Sequence, residues 1–142
     1  EPLSYLEIYD KYIVENEDRN NKIKEIVNEI RENNDRARIL ILTKSLNHGR
    51  TLENLLGGHC EFLEGANSIQ GINIEEITHF INARGMKSEI ATLQALGRAL
   101  RKHETKEKVF VYDFFDPEKY LADHSEERRS HYTAEGHEVR NI

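Results

Sequence analysis

The chain has 142 residues, with 20 Lys and Arg against 26 Asp and Glu and a formal net charge of −6. That length fits one domain with a real core. The acidic balance excludes an autonomous, strongly basic nucleic-acid binder, though not a domain that touches phosphates through a few side chains and backbone N–H groups. Hydrophobic residues make up 37% of the chain, and no apolar run nears the ~20 residues of a membrane span. A single cysteine, Cys60, can make no internal disulfide and fits a reducing cytosol.

Glu1-Pro2 opens directly into folded-looking sequence without a signal-peptide pattern, as an excised fragment would. Ser4 to Glu15 reads as a short helix. Its Tyr5, Leu6, Ile8, Tyr9, Tyr12 and Ile13 suit packing on a neighbouring domain or on the core. After a polar break at Glu15 to Asp18, the spacing of Ile23, Ile26, Val27 and Ile30 predicts a helix over Arg19 to Asn33. Asn33-Asn34-Asp35 ends it. Ile39 to Leu42 is a continuous apolar run suited to a strand buried on both faces of a parallel sheet. Thr43 to Gly49 then reads as a strand-to-helix loop, and Arg50 to Leu56 as a short helix ended by Gly57-Gly58. Ligands of open α/β sheets gather at the carboxyl ends of strands, which makes Thr43, Lys44, Ser45, His48 and Gly49 candidates. The plainer reading of that loop is a polar turn.

Cys60 to Leu63 reads as the next strand, closing at Gly65-Ala66-Asn67. Ile77 to Asn82 alternates as a strand with His79 on its polar phase, and Ala83 to Lys87 forms a loop. Ser88 to Lys102 has strong helix formers throughout and a capping Ser at its start. Ile90, Leu93, Leu96 and Leu100 make its apolar stripe. Gln94, Arg98 and Arg101, at i, i+4 and i+7, line a second stripe, and Gly97 beside them leaves room for a close approach. Two guanidiniums held in this way match an anion's oxygens bidentately. The plainer reading is an amphipathic helix with solvated arginines.

Val109 to Phe115 reads as a buried strand, and Asp116-Pro117 as a helix start with Asp as cap. Glu118 to Glu135 follows as a mostly charged helix with a candidate break near His124-Ser125. Leu121, Tyr132 and Ala134 are its apolar anchors, Gly136 suits its end, and His137 to Asn141 is a candidate edge strand. His124, His131 and His137 share one segment, but no Cys pair stands at zinc spacing, so no metal ligands are assigned. Glu61, Glu64, Glu75 and Glu76 read as a solvated face and Cys60 as a buried thiol.

Gln94-x-x-Gly97-Arg98-x-x-Arg101 resembles motif VI of superfamily 2 helicases. Gly71-Ile72-Asn73-Ile74 resembles the end of motif V, Arg38 to Gly49 resembles motif IV, and Arg19-Asn20 resembles the lead-in to the second helicase domain. The set is most similar to the phage branch-migration (UvsW-type) and restriction-type DEAD/DEAH-like helicases. It covers the chain from about Glu15 onward. The resemblance implies an α/β fold: a RecA-like parallel sheet flanked by helices, as in a helicase C-terminal domain. Residues 1–18 would be a lead-in from a preceding domain and 19–142 the RecA-like domain itself. One departure stands out. Ser68-Ile69-Gln70 runs straight into Gly71, so about thirty residues, one βα unit, are lacking or omitted near Ser68-Ile69. Omission is the favoured reading, because the strand at Ile39 to Leu42 calls for neighbours on both sides. Asn73 stands where many family members carry Asp, which keeps an acceptor and loses a charge.

The chain has no Gly-x-x-x-x-Gly-Lys-Ser/Thr loop and no Asp-Glu pair after an apolar strand, so it is not expected to hydrolyse ATP alone. The resemblance implies the C-terminal half of an ATP-dependent DNA helicase or translocase acting in unwinding or branch migration during recombination and repair. An N-terminal RecA-like domain would carry the phosphate loop and hold ATP with Mg²⁺. Arg98 and Arg101 would be the catalytic arginine fingers, and Gln94, Gly71 and Asn73 would meet the nucleotide. Thr43, Lys44, His48 and Gly49 would contact the nucleic-acid backbone; Lys87 and Ser88 suit either a cap or a phosphate contact. The residues themselves do not distinguish DNA from RNA. The implied setting is a bacterial or phage-infected host cytoplasm, with no membrane. The second reading is a non-catalytic helicase-like interaction module, favoured by the acidic balance and the short motif V region.

Overall fold

The computed structural model describes residues 3–57, 60–63, 76–85, 109–117 and 121–134. Gly71, Asn73, the Ser68–Ile69 junction, the helix expected over Ser88 to Lys102 and the strand expected over His137 to Asn141 lie outside the described residues.

Helix α1 (Tyr5–Tyr9) starts at Ser4, whose side chain accepts from the Glu7 N–H, and runs on into a π-helical turn at Asp10–Val14. The segment packs within the chain: Ile8, Tyr9, Ile13 and Val14 form a cluster with Leu121. Helix α2 (Glu17–Asn33) begins two residues earlier than its apolar pattern predicts, because the Asn16 side chain caps it by accepting from the Arg19 N–H at 3.0 Å. Its stripe of Ile23, Ile26, Val27 and Ile30 is buried as expected.

Strands β1 (Ile39–Leu42), β2 (His79–Asn82) and β3 (Phe110–Tyr112) form a parallel sheet in the order β1-β2-β3. Ile39 pairs with His79, which in turn pairs with Phe110. The strand buried throughout is β2, not β1, since among the described residues β2 lies between two neighbours and β1 is paired along one side. His79 is likewise inside, stacked on Phe110 with ring centroids 5.2 Å apart, rather than on a solvated polar phase. The two-residue period of the strands splits the core between two faces. Ile39, Ile41 and Ile81 join α2 and Leu52 on one; Leu40, Leu42 and Phe80 join Ile77 and Val109 on the other.

Helix α3 (Leu46–Leu56) starts four residues earlier than expected, so His48 and Gly49 lie in its first turn rather than in a loop. Ser45 is the reason: its Oγ accepts from the His48 N–H at 3.1 Å and starts the helix there. Among the described residues, Cys60 to Leu63 forms no strand. Its backbone is tied to α3 instead, through the Phe62 N–H donating to the Glu53 carboxylate at 3.2 Å. Helix α4 (Leu121–Ala134) is continuous across His124-Ser125. The Ser125 hydroxyl donates to the Leu121 carbonyl at 2.8 Å within the helix, which leaves the helical ladder intact. The Asp116 carboxylate is buried and paired with Arg19, while the helix start that it is expected to cap, at residues 118–120, lies outside the described residues.

Candidate functional site

Parallel strands bring their carboxyl ends to one edge of the sheet, and three connections meet there: Thr43–Ser45 after β1, Ala83–Gly85 after β2 and Asp113–Asp116 after β3. The first carries the nucleic-acid candidates. Lys44 is exposed and Thr43 half-buried. His48 and Gly49 are buried beneath them. His48 Nε2 lies 2.8 Å from Asn20 Oδ1, and Asn20 Nδ2 donates to the Val14 carbonyl at 3.0 Å. Burial, helped by the nearby Arg19 charge, pushes the His48 imidazole down to about 4, so it is neutral at pH 7. Gly49 is required by packing. A Cβ at that position would lie 2.2 Å from the Phe62 ring, which also faces the Arg50 guanidinium at 5.7 Å. Lys44 therefore carries the exposed positive charge of this connection. His48 and Gly49 fix the helix whose first-turn N–H groups stand beside it.

The other two connections are joined by a buried ion network that the sequence does not announce. Arg19 Nε donates to Asp116 Oδ1 at 2.8 Å and Nη2 to Oδ2 at 3.3 Å, while Nη1 donates to the Ala83 carbonyl at 2.9 Å. Its guanidinium carbon lies 4.6 Å from the Phe114 ring centroid. On α4, Arg128 grips Asp113 bidentately, Nε to Oδ2 at 3.0 Å and Nη2 to Oδ1 at 3.1 Å, and stands 4.0 Å from Asp116. Asn82 donates to Asp113 at 3.1 Å and accepts from the Arg84 N–H at 3.2 Å. Burial raises the Asp116 carboxyl even with two arginines opposing the shift. Leu121, Ser125 and Arg128 are buried at i, i+4 and i+7 on α4, a stripe of two polar residues and one leucine within a helix that reads as solvated.

The other candidates, Gln94, Arg98, Arg101, Gly71 and Asn73, lie outside the described residues. Among the described residues, no helix is long and apolar enough to cross a membrane. No three His, Cys, Asp or Glu side chains there converge as a metal-ligand group.

No protein-family model matches the chain. Over 46 residues, 32% of this chain and 9% of the relative, it is 44% identical to the ATP-dependent DNA helicase UvsW of Enterobacteria phage T4. The crystal structure of T4 UvsW superposes with a TM-score of 0.70 at 21% identity, covering 96% of this chain and 36% of the UvsW chain. The chain thus spans about a third of the protein it matches. The chain is thus similar to T4 UvsW over a short stretch of sequence and in fold: its parallel sheet, three-stranded among the described residues, with flanking helices matches part of that structure.

Proposed function

We propose that this chain is the C-terminal half of an ATP-dependent DNA helicase or translocase, with residues 1–18 as its lead-in and 19–142 as the RecA-like domain. The observation that carries the reading is the Gln94-x-x-Gly97-Arg98-x-x-Arg101 pattern on a chain related to an ATP-dependent DNA helicase. Arg101 is assigned as the arginine finger and Arg98 as its partner. Gln94, Gly71 and Asn73 face the nucleotide from this side of the cleft. ATP with Mg²⁺ is held by a phosphate-loop half, the partner that this chain completes. Lys44 and Thr43, with the start of α3, grip the nucleic-acid backbone. The expected setting is a bacterial or phage-infected cytoplasm, and the expected work is unwinding or branch migration in recombination and repair. Binding of ATP across both halves favours closure, and hydrolysis removes the shared γ-phosphate contacts and releases it.

The test is DNA-stimulated ATP hydrolysis by the protein that joins this chain to its phosphate-loop half. Arg101→Ala is expected to lower kcat by about 10³-fold or more while leaving the thermal midpoint unchanged. Full hydrolysis by that variant, with unaltered partner binding, is what the non-catalytic module requires and would overturn the helicase reading.

A further inference from the structure

Helices α2 and α3 both begin at the carboxyl edge of the sheet and descend side by side. Arg19, in the first turn of α2, reaches Ala83 and Asp116 at that edge, and α3 starts at Ser45 just past β1. The two helices share an apolar core, in which Ile23, Ile26, Val27 and Ile30 pack with Leu52, Leu55 and Leu56. Beside that core their facing sides turn polar. An open cavity of about 420 Å³ lies there, lined by Glu17, Asn20 and Asn21 from α2 and by Thr51, Asn54 and Leu55 from α3. Each helix contributes positions i, i+3 and i+4, the spacing of one helical face. All of the lining but Leu55 is polar.

The chemistry of that lining is one-sided. Asn20 is buried and held from two directions: its Oδ1 lies 2.8 Å from His48 Nε2, and its Nδ2 donates to the Val14 carbonyl at 3.0 Å. Its carboxamide is therefore oriented before any ligand arrives. The Thr51 hydroxyl donates to the Asn47 carbonyl at 2.9 Å, which leaves its oxygen as an acceptor. Glu17 adds a carboxylate, which only accepts. Asn21 and Asn54 are exposed, one on each wall, and offer acceptors as well as donors. No lining residue is basic. The cavity thus disfavours a phosphate and favours a neutral group that brings N–H donors.

Its position narrows the class. Lys44 and the start of α3 are the backbone grip in the reading above, and Thr51 lies roughly 9 Å along α3 from Ser45. A nucleotide bridges such an interval from its phosphate to its base. Phosphate contacts place a strand, while contacts to base edges discriminate among sequences. The exocyclic amines of cytosine and adenine are the donors that carboxylates and carboxamides take up. We infer that the cavity between α2 and α3 is a base-binding subsite that prefers an amine-bearing base, cytosine or adenine, to thymine. The inference rests on the backbone grip assigned to Lys44 and Thr43, and it adds a sequence preference to that grip.

The test is equilibrium binding of oligo(dC) and oligo(dT), single strands of equal length, to the protein that joins this chain to its phosphate-loop half. A mildly alkaline buffer keeps cytosine neutral, so one strand offers an amine where the other offers a carbonyl. The wild type is expected to bind oligo(dC) about fivefold more tightly, the lower end for a contact to a base edge. Asn21→Leu and Asn54→Leu, both at exposed positions, are expected to bring that ratio close to unity. Lys44→Ala is expected to weaken both strands together and to lower the dependence on salt. Equal binding of the two strands by the wild type would overturn the inference, as would a ratio that survives in both asparagine variants. So would an unmoved ratio with a weakened hold on the phosphate-loop half, which would make the cavity a protein contact. If Lys44→Ala alters neither affinity nor salt dependence, the backbone grip fails and the inference falls with it.

Discussion

His48 illustrates how a residue's neighbours decide its chemistry. As a side chain after a strand it suits a phosphate contact, yet it lies fully buried with Nε2 directed at Asn20. Its folded pKa of about 4 lies below the unfolded value of 6.5, so between those values the unfolded chain binds the extra proton. Stability is therefore full above the unfolded value and is lost as pH falls toward the folded one. The total is on the order of 3 kcal/mol. Asp116, whose carboxyl is raised, works in the opposite direction, so the comparison must isolate His48. Urea unfolding of the wild type and of His48→Gln, from about pH 7 to about pH 4.5, is expected to show the wild type losing stability faster. Parallel profiles would remove the assignment of a buried neutral imidazole.

Among the elements, α3 starts from a single side chain outside its own span. Ser45 starts the helix and thereby turns His48 and Gly49 inward, where Asn20 and Phe62 receive them. Ser45→Ala is expected to cost about 1 kcal/mol, seen as a lower urea midpoint with unchanged slope, and Ser45→Asp to restore most of it. A cost near zero for Ser45→Ala would mean that packing of Leu52 under the sheet fixes the helix start without the cap. Helix α4 makes the complementary point. Its buried side includes Ser125 and Arg128, so its place is set by hydrogen bonds and an ion pair as much as by Leu121.

At the scale of the whole molecule, Arg19 connects distant parts of the chain. It joins α2 to the chain after β2 and to Asp116 after β3, across 64 and 97 positions of sequence. Removing one partner strands the other charge in the interior. Arg19→Met is expected to destabilise the domain by about 3–5 kcal/mol, toward the lower end because Arg128 stands 4.0 Å from Asp116. The double variant Arg19→Met/Asp116→Leu is expected to cost clearly less than the sum of its two single changes, as a double-mutant cycle in denaturant would measure. Additive costs would show that the two side chains act independently.

The sequence by itself determined the elements that follow from local periodicity. The apolar stripe of α2 and the bounds of β1 were legible, because burial at helical spacing and a continuous apolar run are written residue by residue. The motif patterns along the chain also carried the resemblance to superfamily 2 helicases. Only the tertiary structure decided which polar residues are interior. Nothing near Arg19 in sequence announces Asp116, and nothing near Arg128 announces Asp113; each pair exists because parallel strands end at the same edge and helices bring their side chains to it. Cys60 to Leu63 shows the same limit from the other side. This run, which reads as a strand, forms none among the described residues; the Phe62 N–H is taken by Glu53 of the neighbouring helix, and its ring lies against Gly49.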